Sequence, residues 1–183
     1  MMSGKVSRLV DRPPVRVAVL FAALFLIGLA TRMPAWMFPQ FYALHGVLAS
    51  PFCAALALWH FRRGGSVGQL ALATGLLAAV LGAMSLAMGL GFAAVALVTL
   101  GAGAALGGMP RDRRAFAVAV IFGAVDYPCA VAVGVALGTY GASAESLPVI
   151  GVLLFLSIAL ALFAACLVPG GKARKGAGGV AGA

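Results

Sequence analysis

An all-α integral membrane protein, a bundle of six transmembrane helices with both termini in the cytoplasm, is the fold class this sequence predicts. Three observations predict it. The first is composition: of 183 residues, 63% are hydrophobic and 9% charged, against roughly 25% charged in a soluble domain. So few charges could not cover a water-facing surface. The second is that the apolar residues fall into six long runs. A hydrocarbon core about 30 Å thick takes roughly 20 helical residues per crossing, so six crossings use most of the chain and leave no room for a soluble domain. The third is the charge pattern. Lys5, Arg8, Arg12 and Arg16 precede run one, Arg62 and Arg63 follow run two, Arg111, Arg113 and Arg114 follow run four, and Lys172, Arg174 and Lys175 follow run six. Of the basic residues, the loops after runs one, three and five carry only Arg32. Short loops rich in Lys and Arg stay cytoplasmic, which orients the whole chain.

Residues 1–14 form a basic cytoplasmic lead, and Pro13 and Pro14 suit a helix entry, where a missing N–H is tolerated. No small-residue cleavage site precedes a mature domain, so run one, about Val15 to Thr31, reads as a retained span, with Arg16 snorkelling to the headgroups. Arg32 to Gln40 follows as an external loop, because Pro34 and Pro39 resist helix and Trp36 and Phe38 fit an interfacial belt. Span two, about Phe41 to Phe61, contains Pro51 and so a kink near Leu48. Trp59 and His60 fall at its inner interface, and Arg62-Arg63-Gly64-Gly65 is a tight cytoplasmic turn.

Span three runs from about Val67 to Met88 and turns outside at Gly89-Leu90-Gly91. Span four runs from about Phe92 to Met109, with Gly101 and Gly103 as small residues that let helices approach. Pro110 to Arg114 is cytoplasmic. Span five runs from about Ala115 to Gly138, Thr139 to Ser146 is external, and span six runs from about Leu147 to Val168. The transmembrane domain is thus 15–168, followed over 169–183 by a glycine-rich basic tail expected to be flexible and cytoplasmic. No internal repeat supports the inverted-repeat plan of many carriers.

The net charge of +9 does not mark a nucleic-acid binder. The basic residues sit at helix ends, where they meet lipid headgroups, and no aromatic-rich basic groove lies outside the spans. Cys53, Cys129 and Cys166 lie inside apolar runs without a CxxC pair and read as buried small hydrophobes.

Asp126 is the one acidic residue inside a span. A charge at bilayer centre costs about 2.5–3.5 kcal/mol, so it faces the bundle interior, either as a ligand or ion contact or as a hydrogen-bond anchor beside Pro128. His45 lies one turn into span two, and His60 is interfacial. Roughly 22 Å of helix separates the two, so they cannot share a metal, and no cluster of metal ligands occurs in sequence. Ser50, Ser85 and Ser157 lie in spans, but no G-x-S-x-G occurs and no general base is paired with them, so no catalytic residue is assigned and no cofactor is expected. No Walker sequence occurs; energy for pumping would have to come from a partner.

Ala18-Val19-Leu20-Phe21-Ala22 places two small residues on one face of span one. With six spans, this Ala-xxx-Ala in the first helix, an aromatic and proline-bearing first external loop (Met33 to Gln40) and the segment Tyr42 to Pro51, the chain resembles the substrate-binding S components of energy-coupling-factor (ECF) transporters. The resemblance covers the transmembrane region and not the tail. It implies that a micronutrient is captured from outside, that the partners are a transmembrane coupling subunit and two ABC ATPases, and that Ala18 and Ala22 lie in the coupling interface. None of the family's vitamin-binding signatures is present, so the ligand stays open. Trp36, Gln40, Tyr42, His45, Asp126 and Tyr127 are the candidate lining residues, with Tyr140 and Glu145 weaker. Two other readings stand beside this one: a stand-alone carrier or channel using Asp126, and a membrane assembly factor that needs only surfaces.

Overall fold

The computed structural model describes residues 12–37, 44–138 and 147–169, the side chains of 32–37 and 44 excepted. Among these residues the protein is all-helical: α1 (Pro13–Met37), α2 (Leu44–Arg62), α3 (Val67–Gly82), α4 (Leu86–Ala105), α5 (Arg111–Ala136) and α6 (Leu147–Leu167). Four of these contain a stretch long and apolar enough to cross a membrane: Pro13–Thr31, Leu86–Ala105, Arg111–Ala136 and Leu147–Leu167. α3 is a shorter apolar helix of 16 residues, about 24 Å long. α2 is apolar along its middle but carries His45 at one end and Trp59, His60 and Arg62 at the other.

Three helix limits differ from the hydropathy reading. α1 does not stop before Pro34 but continues to Met37; a proline removes one backbone hydrogen bond, and a helix with its remaining bonds intact carries on past it. α2 and α5 contain Pro51 and Pro128 within their length, where the hydropathy reading also has them. The turn between α3 and α4 lies at Ala83–Ser85, not at Gly89–Gly91, which are inside α4. Gly89 serves packing instead: a Cβ built on it would lie 2.5 Å from the Cα of Gly82, so this pair lets α3 and α4 touch backbone to backbone just beyond the turn. At the far end of the same hairpin Gly103 meets Val67. Gly101, expected to share that role, is exposed with nothing near it. α3 starts with a capping box: Gln69 N–H donates to Ser66 Oγ at 3.2 Å and Ser66 N–H donates to Gln69 Oε1 at 3.1 Å, which satisfies two of the donors a helix start leaves open.

Among the described residues α2 and α5 make the most extensive helix contact. Gly46 meets the backbone of Tyr127, while Ser50 and Ala54 meet Gly123; the numbering runs oppositely, so the pair is antiparallel. α3 and α4 form the hairpin beside it, α4 packs on α5, α6 packs on both α2 and α5, and α1 packs on α2 and α3. The main core cluster draws Leu20 and Leu24 from α1, Leu58 and Phe61 from α2, Leu70 and Leu77 from α3, Val95 from α4 and Phe122 from α5.

One end of this bundle collects the arginines. Arg16 at the start of α1 donates from Nη2 to the Arg63 carbonyl at 2.9 Å. Arg62 at the end of α2 donates to the carbonyls of Val168 and Pro169 after α6. Arg114 near the start of α5 donates to the Gly103 carbonyl of α4, and a Cβ on Gly64 would lie 3.8 Å from Nη2 of Arg111. Helix starts and helix ends alternate at this one end, so the chain runs up and down through the bundle. Guanidinium groups take up helix-terminal carbonyls that would otherwise lack donors.

Candidate functional site

The α2–α5 seam is built from residues that let two backbones meet. Gly46, Ser50 and Ala54 recur at intervals of four and so share one face of α2. A Cβ on Gly123 would lie 2.6 Å from the Ser50 carbonyl oxygen and 2.7 Å from the Ala54 Cβ, and one on Gly46 would lie 3.0 Å from Tyr127 Cα. Any larger side chain would force the helices apart. Ser50 and Ser157, both fully buried, tie in the third helix: Ser50 Oγ donates to the Ser157 carbonyl at 2.7 Å and Ser157 Oγ donates to the Ala124 carbonyl at 3.4 Å. These hydroxyls are committed to carbonyls as interhelical ties. Ser85 precedes α4 without a side-chain capping bond.

This seam brings together three of the residues singled out from sequence. The contact of Gly46 with Tyr127 puts His45 and Asp126 in neighbouring turns of two different helices. His45 is 6% exposed, Asp126 9% and Tyr127 1%. His45 and Asp126 are both engaged by neighbours. The cluster lies far from the arginine end: Asp126 is 15 residues beyond Arg111, or about 22 Å along α5. It sets a few polar side chains in otherwise apolar surroundings, the usual make-up of a small-molecule site.

The other candidates fall elsewhere. Trp36 lies in the last turn of α1. Gln40, Tyr42, Tyr140 and Glu145 lie outside the described residues, as do residues 1–11 and the tail from 170. Ala18 and Ala22 are both exposed, whereas Val17, Leu20 and Leu24 of the same helix are buried; the two alanines thus sit on the flank of α1 turned away from α2 and α3. Among the described residues no group of three or more His, Cys, Asp or Glu could hold a metal ion.

Two sequence expectations need correction. His60 is not an interfacial residue: it is 2% exposed, its Nε2 lies 3.1 Å from the Ser66 carbonyl, and its ring fills the space a Cβ on Gly65 would occupy. The turn folds back over the ring, and only glycine at 65 leaves room for it. Of the three cysteines only Cys129 is buried; Cys53 is half-buried and Cys166 exposed near the end of α6. Sequence reasoning missed the Gly46-Ser50-Ala54 stripe, although its four-residue spacing was legible; in a chain this rich in alanine and glycine many such spacings occur, and only the partner helix selects one.

Comparison with protein-family models, with characterised proteins and with solved structures found no match.

Proposed function

We propose that the chain is the substrate-binding (S) subunit of an ECF-type transporter in a bacterial inner membrane. It crosses the membrane six times with both termini in the cytoplasm. It captures a small micronutrient outside and relies on a transmembrane coupling subunit and two ABC ATPases for uptake. The observation that carries this reading is the bare flank of α1, where Ala18 and Ala22 are exposed one turn apart. Two small residues on an outward face let a partner helix approach closely in lipid. The arginine end supports the orientation, since clustered Arg at helix ends marks the cytoplasmic side; His45, Asp126 and Tyr127 then belong to the outer part of the bundle, where a ligand would arrive. The short α3 is accommodated by local bilayer thinning.

Ala18→Trp and Ala22→Trp test it. Each should lower uptake in cells holding the coupling subunit and ATPases by at least about tenfold, roughly 1.4 kcal/mol of interface energy, while the purified variants still bind ligand. Undiminished uptake by both would defeat the assignment. Burial of Asp126 favours a second reading, a stand-alone carrier with this carboxylate as its coupling site. In that case the chain alone would transport in liposomes under an ion gradient, and Asp126→Asn would abolish transport.

A further inference from the structure

α2 leaves one stripe of its surface uncovered, opposite the seam with α5. Leu48, Phe52, Ala55 and Trp59 follow one another at intervals of four, three and four, which keeps them on one face of α2, and Arg63 stands in the turn just past the helix end, its N–H donating to the Trp59 carbonyl at 3.2 Å. Leu48, Phe52 and Arg63 are exposed, and Ala55 and Trp59 half-buried. To one side of the stripe Val47 and Leu58 are buried, and to the other Ala49 and His60. Arg62 reaches to the end of α6, and Arg16 of α1 reaches the Arg63 carbonyl. The stripe therefore runs lengthwise between α1 and α6 and finishes at the arginine end.

That finish has a definite chemistry. The Arg63 guanidinium lies 4.4 Å from the centroid of the Trp59 ring, which holds the cation at the depth of an interfacial aromatic. Gly64, at φ +80°, and Gly65 leave the adjoining turn without side chains, and Arg111 stands beside Gly64. Among the described residues Asp112 is the one carboxylate at this end, against Arg12, Arg16, Arg62, Arg63, Arg111, Arg113 and Arg114. From Trp59 to Leu48 is 11 residues, roughly 16 Å, close to one leaflet of a hydrocarbon core about 30 Å thick.

We infer that this stripe is a binding track for an acidic phospholipid, with its phosphate diester held at Arg63 beside Gly64 and an acyl chain lying along Trp59, Phe52 and Leu48. The apolar length of the track selects a lipid over an acidic protein surface, which would match the arginines and leave the stripe bare. The inference depends on the bundle lying in lipid and not on the transporter reading.

The full chain, purified in detergent with equal phosphatidylglycerol and phosphatidylcholine, would be examined by intact-complex mass spectrometry. The native protein should retain phosphatidylglycerol in preference by about fivefold, the weight of one arginine at an anionic surface. Arg63→Gln should remove the preference, and Arg113→Gln, exposed and off the stripe, should keep it. Equal retention of the two lipids, or the same loss in Arg113→Gln, overturns the inference. So does displacement of the lipid by inorganic phosphate or by a polyglutamate peptide, which would assign the arginines to a free anion or to a protein. A second measurement needs no variant: phosphatidylglycerol with a photoreactive acyl chain should label the peptide holding Leu48 and Phe52 in the native chain. Labelling spread evenly over the exposed faces of α4 and α6 would equally overturn it.

Discussion

The α2–α5 seam and the outer face of α6 both belong to apolar helices, yet among the described residues one is the most extensive helix contact and the other is bare. On α2 and α5 the small residues Gly46, Ser50, Ala54 and Gly123 bring backbones within contact. On α6, Val152, Phe155, Phe163 and Leu167 stand exposed, and Gly151 has nothing near it. The difference teaches that hydrophobicity does not choose the buried face of a helix whose solvent is itself apolar. Shape does, through small residues that meet small residues, helped by the few polar groups that must find partners.

The sharpest way to break this comparison is Gly123→Leu. Its side chain would run into the Ser50 carbonyl and Ala54, and overpacking of this kind should destabilise by about 3 kcal/mol, seen as a lower thermal or denaturant midpoint in detergent micelles. A neutral result would mean that α2 and α5 do not meet there. A milder probe is Ser50→Ala, which removes the tie to the Ser157 carbonyl. Interhelical hydrogen bonds in membranes contribute on average about 0.6 kcal/mol, so a small loss of stability is expected, with α6 loosened more than α5 in hydrogen exchange. At the other limit, Gly151→Leu on the bare face of α6 should change stability by less than about 0.5 kcal/mol. A larger loss in the isolated protein would reveal a contact that the bundle itself does not contain.

The candidate site divides along the same line. His45, Asp126 and Tyr127 were each legible as polar or aromatic residues in apolar runs, because a carboxylate in a span stands out against its neighbours. Their assembly was not legible: His45 and Asp126 are 81 positions apart in sequence, and only the antiparallel register of α2 on α5, set by Gly46 against Tyr127, puts them in adjacent turns. His60 was misplaced for the same reason. Its position at a helix end beside Arg62 suggests an interface, but the turn at Gly64 and Gly65 folds back and buries the ring. The limits of the helices show the reverse error, in which Pro34 and Gly89 were given more power to stop a helix than one lost bond or one missing side chain has.

Hydropathy and charge order, read along the chain, were enough to establish a helical, lipid-compatible body with its arginines gathered at alternate helix ends. Those are local properties, settled by the cost of placing each side chain in hydrocarbon or at its edge. Which faces of the helices touch, which serines act as ties and which polar groups become neighbours were settled only when the helices packed. That choice rests on close approach between residues far apart in sequence, and composition carries no record of it.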